Sequence, residues 1–288
     1  MGRRLFFLFI FLIGCSKTPT HSYKLAICAI FKNEAPWLKE WIVYHHNILG
    51  VEHFYLYNNE SSDHFAEVLE PFIKKGLVEL LDWDSKTPEH LAYGAFMDAP
   101  WNAAQLGAYN DCLKKKALGV AKWVAMIDVD EFIVPAQGAR AFHKLLEQAE
   151  KKKKGTVSIP WRMFGTSGVQ KLEGNELLTE KMLRRSKDNA ECNKTVKSIH
   201  RPEAIEFCLI HIADKLKPGF GCTTFKPQLV QLNHYWTRTA ECCQSKRKIS
   251  KETHPLLLDS LDQVTDTLIL QYLPELRKGF KNHFRYTR

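Results

Sequence analysis

The 288-residue chain has no run of the ~20 apolar residues that a bilayer-spanning helix requires. It has no CxxC pair and no spacing of cysteine and histidine that reads as a zinc site. No zinc finger, RNA-binding signature or dense arginine stripe marks it for nucleic acid. Internal repeats and low-complexity linkers are missing, which removes solenoids and strings of small modules. An acidic excess is missing too: 41 Lys+Arg stand against 32 Asp+Glu, a net charge of +9. That balance favours anionic partners, among them anionic lipid and phosphorylated small molecules. What remains is an ordinary globular composition, 45% hydrophobic, 25% charged and 11% aromatic, which excludes disorder, collagen and coiled coil. A chain of this length buries about three quarters of its unfolded surface, so the fold needs no disulfide staple.

The first twenty residues, 1–20, read as a leader. Arg3 and Arg4 precede an uninterrupted apolar stretch from Leu5 to Ile13, followed by Gly14, Cys15, Ser16 and a polar segment. This is a secretory signal, too short for an ordinary span. Leu12-Ile13-Gly14-Cys15 also resembles the lipobox of bacterial lipoproteins, in which the cysteine is acylated. A cleaved signal and a short anchor stay open beside it. The expected location is membrane-associated through the N-terminus, with the two arginines favouring an exported domain. Of the eight cysteines, Cys28 lies in an apolar strand pattern, while Cys192, Cys208 and Cys222 fall where one disulfide could form.

From Tyr23 the chain alternates strand and helix. Tyr23–Phe31 is a nearly continuous apolar run, as a strand covered on both faces requires. Glu34–Leu49 carries an amphipathic helix. Glu52–Tyr57 and Leu77–Leu81 read as strands, with a short helix to about Ile73 between them. Asp84–Asp98 is irregular. A helix follows over about Trp101–Leu118, then a strand over Lys122–Ile127. This alternation predicts an α/β fold with a mostly parallel sheet. A helix from about Arg140 should end in Lys151–Lys154 with Gly155 as its stop. Thr156–Phe164, Leu177–Arg185, Thr195–His200 and Gln228–Leu232 read as later strands, and the chain is helical again from about Ala240.

Asp128-Val129-Asp130 closes the apolar strand Trp123–Ile127. Alternating carboxylates at a strand end can converge on one Mg²⁺ or Mn²⁺, and in open α/β sheets the ligand crevice lies at the strands' carboxyl ends. Phe31-Lys32-Asn33-Glu34 follows the first strand, with Asn33 read as a helix N-cap. The turn Asn58-Asn59-Glu60-Ser61-Ser62-Asp63 follows the second. All three segments belong at one edge of the sheet.

Ordered blocks then carry a resemblance. They are Ala29–Glu34, Leu38–His45, Leu49–Val51, His53–Asn59, Ser61–Asp63, Gln105 with Ala108–Cys112, Trp123–Pro135, Trp161–Gly168, Lys197, Arg201-Pro202 and Asn233–Tyr235. Together they resemble glycosyltransferase family 92, a family close to the family 2 type of nucleotide-sugar transferases. The resemblance implies one transferase domain of GT-A type over 21–288, with a mostly parallel sheet, helices on both faces and a smaller antiparallel extension. Its donor half covers about 23–135 and its acceptor half about 136–250, with C-terminal helices over 250–288. It implies transfer of a galactose-like hexose from a nucleotide diphosphate sugar, a UDP-sugar by preference, to a glycan, lipid or protein, with inversion. Lys32, Asn33, Glu34, Asn58, Asn59 and Asp63 would line the nucleoside end. Asp128 and Asp130 would hold Mn²⁺ or Mg²⁺, with His234 as a further ligand. Lys197, Arg201 or Arg184 would add positive charge. The acceptor's base would be Glu180, with Glu173 and Asp188 as alternatives, while Glu131 reads as structural. Trp161 and Phe164 would stack on sugar or pack in the core. Two other readings stay open: a non-catalytic glycan-binding surface lipoprotein, and a nucleotide-sugar hydrolase.

Overall fold

A computed structural model describes residues 21–84 and 100–284. The leader read at 1–20, and all but the first residue of the irregular stretch 84–98, lie outside the described residues. Strand β1 (Tyr23–Phe31) leads into helix α1 (Ala35–Asn47). β2 (His53–Asn58), α2 (Phe65–Lys74) and β3 (Val78–Asp82) follow, then α3 (Pro100–Asp111) and β4 (Ala121–Met126). β1 to β4 are parallel, in the order β3-β2-β1-β4.

β1 is apolar throughout because it is covered on both sides. Leu25, Ile27, Ala29 and Phe31 face a core shared with Leu38, Trp41 and Ile42 of α1. Ala26, Cys28 and Ile30 face a second core shared with Ala104, Ala108 and Tyr109 of α3. Period-two alternation therefore separates two helical layers rather than core from water.

The sheet continues beyond β4 through β8 (Val196–His200), β6 (Lys154–Met163), β12 (Val230–His234) and β5 (Glu131–Pro135). β8 is antiparallel to both neighbours, and β12 runs parallel to β6 and antiparallel to β5. β11 (Gly221–Thr224) also pairs with β6, and two small antiparallel ladders stand apart. The architecture is thus α/β, mostly parallel, with helices on both faces and a small antiparallel addition.

Four local expectations change. The helix over Gly138–Lys151 (α4) is followed by Lys153 in the left-handed region (φ 52), and Gly155 belongs to β6. Gly155 is needed there because a Cβ would stand 2.5 Å from that of Ala204. Leu177–Arg185 is not one strand but a short helix α5 (Leu178–Lys181) and two strand residues, Arg184–Arg185 (β7). The cause is non-local. Buried Glu40 of α1 accepts the N–H groups of Leu178 and Thr179 at 2.8 and 2.9 Å, and so caps that helix. Glu131–Pro135 is a strand the apolar pattern did not separate from the acidic turn before it. Finally, the cysteines described are free thiols, so Cys192, Cys208 and Cys222 form no disulfide. No described helix is long and apolar enough to cross a membrane.

Candidate active site

The loops after β1 and β4 open on the same edge of the sheet, where a cleft of about 1110 Å³ is lined by Lys32, Asn33, Glu34, Asp128, Asp130 and His234, among others. The acidic turn is closed on itself. Glu131 is fully buried and accepts the Asp128 N–H at 2.8 Å, while the Asp128 carbonyl accepts the Glu131 N–H at 3.0 Å. Burial pushes the Glu131 carboxyl up to about 7.

The two aspartates have different surroundings. Asp128 Oδ1 accepts Gln105 Nε2 at 2.7 Å and Tyr109 OH at 3.2 Å, and its Oδ2 lies 3.0 Å from Lys197 Nζ. Asp130 is 4% exposed and faces His234, Arg247 and Arg238 at 3.5, 3.4 and 3.6 Å. Burial alone would raise its carboxyl, but the charges of His234, Arg238 and Arg247 outweigh burial and hold it far below the usual range. Burial opposes a charge on His234 as well, yet Asp130 and Glu131 raise its pKa.

Three basic residues that the sequence did not single out come from residues 236–248, which cross the mouth of the cleft. Buried Arg238 donates to Glu34 and lies over Trp37, with a 2.6 Å contact and a 5.2 Å centroid distance. Lys246 pairs with Glu34. Arg247 lies over Trp236 at 5.3 Å while reaching Asp130. Their signal was present as Arg238-Thr239, just before the stretch read as helical, and as Lys246-Arg247-Lys248 within it.

Several expected residues are placed elsewhere. Asn33 is not the helix cap: it adopts φ 55, and its Oδ1 accepts the Ser62 N–H at 2.8 Å. Asp63 caps α1 instead, accepting the Ala35 N–H at 2.8 Å. Asn58 and Asn59 bond Asp82 and the Trp83 carbonyl, so with Asp63 they brace the loop behind the cleft wall and do not line it. Arg201 lies at the opposite end of β4, stacked on Trp123 and Phe220 and paired with Glu203 at 2.6 Å. Arg184 holds the Asp262 carbonyl at 2.8 Å. Glu180 is paired with Arg277, Glu173 with Lys171, and Asp188 with Arg185, all off the cleft wall. Phe164 is core, packed on Tyr235, whereas Trp161 lines the cleft and packs at a tilt against His234, with ring centroids 4.4 Å apart.

The donor set fits a divalent ion at Asp130 and His234. Asp130 Oδ1 and His234 Nε2 lie 3.5 Å apart, near the roughly 3 Å that neighbouring octahedral ligands keep. Behind the ring, His234 Nδ1 and Glu131 Oε1 are both buried without hydrogen-bond partners and face each other at 3.9 Å. A carboxylate behind a ligating imidazole is the usual outer support of a metal site. Asp128 is committed to Lys197, Gln105 and Tyr109. No cluster of three His, Cys, Asp or Glu ligands exists among the described residues, which leaves other positions to substrate oxygens and water.

Known proteins resemble this chain in sequence. The model of glycosyltransferase family 92 matches residues 21–276. A glycosyltransferase family 92 protein of Ricinus communis is 26% identical over 227 residues, 78% of this chain and 37% of its own. A galactan beta-1,4-galactosyltransferase of Arabidopsis thaliana is 31% identical over 124 residues, 41% of this chain and 22% of its own. The chain spans about a third of the length of the curated family relatives. A mannosyltransferase from Pyrobaculum calidifontis, solved with GDP-Man and Mn²⁺, aligns at a TM-score of 0.44 and 11% identity over 94% of this chain and 77% of its own.

Proposed function

Because the chain belongs to glycosyltransferase family 92, we propose that it is a metal-dependent hexosyltransferase acting on a nucleotide diphosphate sugar. Galactose is the sugar, UDP the carrier, and a glycan, lipid or protein the acceptor, with inversion at the anomeric carbon. The similarity to a galactan galactosyltransferase supports the choice of sugar. One observation carries the reading. The cleft pairs a carboxylate and an imidazole suited to an ion with a ring of basic side chains suited to phosphate.

Asp130 and His234 would hold a divalent ion, which would supply positive charge for a leaving diphosphate. The chain's own residues do the rest. Lys246 and Arg247 exchange their carboxylate partners for diphosphate oxygens. Lys32, Asn33 and Glu34 border the nucleoside end. Lys197 holds the Asp128 carboxylate in place beneath the site. Trp161 and Trp236 offer faces on which a sugar ring can stack.

The test is thermal melting of the full chain with UDP-galactose, UDP-glucose, UDP-GlcNAc and GDP-mannose, each with and without Mn²⁺. A donor at 100 times its dissociation constant adds about 2.7 kcal/mol. Transfer is then measured with β-1,4-galactan oligosaccharides. A melting shift that needs both UDP-galactose and Mn²⁺, with elongated product, is the expected result. A shift with galactan alone and none with any donor would favour the non-catalytic glycan-binding reading instead.

A further inference from the structure

Five carboxylates line the cleft: Glu34, Asp128, Asp130, Glu176 and Glu241. Four of them are held by cations. Glu34 is tied by Arg238 and Lys246, Asp128 by Lys197, and Asp130 by His234, Arg238 and Arg247. Glu176 accepts Lys181 Nζ at 2.8 Å and the Glu173 N–H at 3.0 Å, and these bonds lower its pKa. Glu241 is exposed and has no ionic partner among the described residues.

A base for an acceptor hydroxyl must be reachable and free to take a proton. Glu241 meets those conditions and the other four do not. Its place is also set by backbone bonds. The N–H groups of Ala240 and Glu241 donate to the carbonyls of Val169 and Gln170 at 2.9 and 3.0 Å. Those bonds fasten this end of the crossing segment to the loop that continues through Lys171, Leu172, Gly174 and Glu176 of the cleft wall. Thr239 caps the turn by accepting the Cys242 N–H at 3.2 Å. The other end of the segment reaches the donor side, where Arg247 meets Asp130 and Lys246 meets Glu34. A short α-helical turn (Ala240–Cys242) and a π-helical turn (Cys243–Arg247) separate the Glu241 carboxylate from the cations placed for the diphosphate.

Resting on the transferase reading above, we infer that Glu241 is the general base that activates the acceptor. It takes the hydroxyl proton as the acceptor oxygen bonds to the anomeric carbon. The bond from that carbon to the diphosphate oxygen breaks, and its electron pair leaves with the nucleoside diphosphate. The proton then passes from Glu241 to solvent. One segment would thus hold the donor through Lys246 and Arg247 and present the base through Glu241, so an ordered donor complex would set the base in place.

The test compares wild type, E241Q and E176Q in Mn²⁺ with UDP-galactose and galactan oligosaccharide, and measures UDP binding in parallel. Glu241 is exposed, and melting curves check that E241Q is folded. E241Q should lose about 100-fold or more in kcat, keep the dissociation constant for UDP, and lose the acid limb of the kcat/KM profile. Wild-type turnover in E241Q, or a larger loss in E176Q, would overturn the assignment while leaving the transferase reading intact. A wild-type protein that neither binds UDP nor transfers would overturn both.

Discussion

The Lys197 ammonium lies 3.0 Å from the Asp128 carboxylate, with 1% of the lysine side chain exposed against 30% of the aspartate's. Antiparallel pairing of β8 with β4 puts it there, because Ser198 stands opposite Met126 and Lys197 follows toward the acidic turn. Burial opposes a charged amine, but Asp128 and Glu131 more than offset that and raise the lysine's pKa. The first acid of the triplet is therefore a strut of the site, and the second forms with His234 the pair whose geometry suits an ion.

Removing Lys197 should expose that dependence. Lys197→Met leaves Asp128 without its cation and should cost about 3 kcal/mol, the low end for a broken buried pair because Asp128 reaches water. Lys197→Met with Asp128→Asn should recover most of the loss. Urea unfolding of the two variants measures both terms, and an unchanged midpoint for Lys197→Met alone would show that the pair carries no stability.

Acid should unfold the protein through two histidines remote from the cleft. His45 bonds the Trp41 carbonyl through Nδ1 at 2.8 Å and accepts the Ile133 N–H at Nε2, at 3.3 Å, so neither nitrogen can take another proton. Burial lowers His45 and His200 to about 3. The unfolded chain protonates both near 6.5 and the folded chain does not. Their contribution is complete above that pH and falls as pH drops from 6.5 toward 3, by about 1.4 kcal/mol per unit for each histidine. Urea midpoints at pH 7.5, 6 and 5 test this. A flat response would mean that one or both rings accept protons in the folded state.

The β1 to β4 half was legible because its signals are local. The apolar run Tyr23–Phe31 coincides with β1, and the α1 periodicity needed trimming only at its ends. Asp130 and His234 could be named in advance because a strand end and a family motif marked them. The basic residues Arg238, Lys246 and Arg247 could not, since nothing near them in sequence shows that they cross to Glu34 and Asp130. The same limit made the helix at Leu178, whose cap is Glu40, read as a strand, and made Glu180 look available although Arg277 holds it. In each case the deciding partner is distant in sequence and near only in the fold.

The cleft's outer wall depends on Gly165. A Cβ there would overlap the Asp262 carboxylate, which accepts the Ser167 N–H at 2.9 Å and Thr166 Oγ1 at 3.3 Å. Gly165→Ala must push Asp262 aside and loosen the start of the loop that leads to Lys171. The expected cost is about 1–3 kcal/mol for overpacking. Because both changes act on one contact, Gly165→Ala should add little to Asp262→Ala. Denaturant unfolding of the singles and the double measures this, and full additivity would show that the two residues act separately.

Glu131→Gln separates support of the acidic turn from support of the metal ligand. A glutamine oxygen can still accept the Asp128 N–H that Glu131 Oε2 now accepts at 2.8 Å, so the turn should keep its shape. The atom facing His234 Nδ1 would become an amide, which donates where the carboxylate accepts. An imidazole bound to an ion through Nε2 carries its proton on Nδ1 and loses its acceptor in this variant. Mn²⁺ affinity should therefore fall about 10- to 100-fold, with little change in thermal stability without metal. Asp130→Asn should abolish metal-dependent donor binding, and Asp128→Asn should spare more of it, because Asp128 is bound to Lys197. Calorimetric titration of Mn²⁺ in the presence of UDP ranks the three variants. A Glu131→Gln protein that binds Mn²⁺ as wild type does would show that His234 holds the ion without help from the carboxylate behind it, or does not hold it.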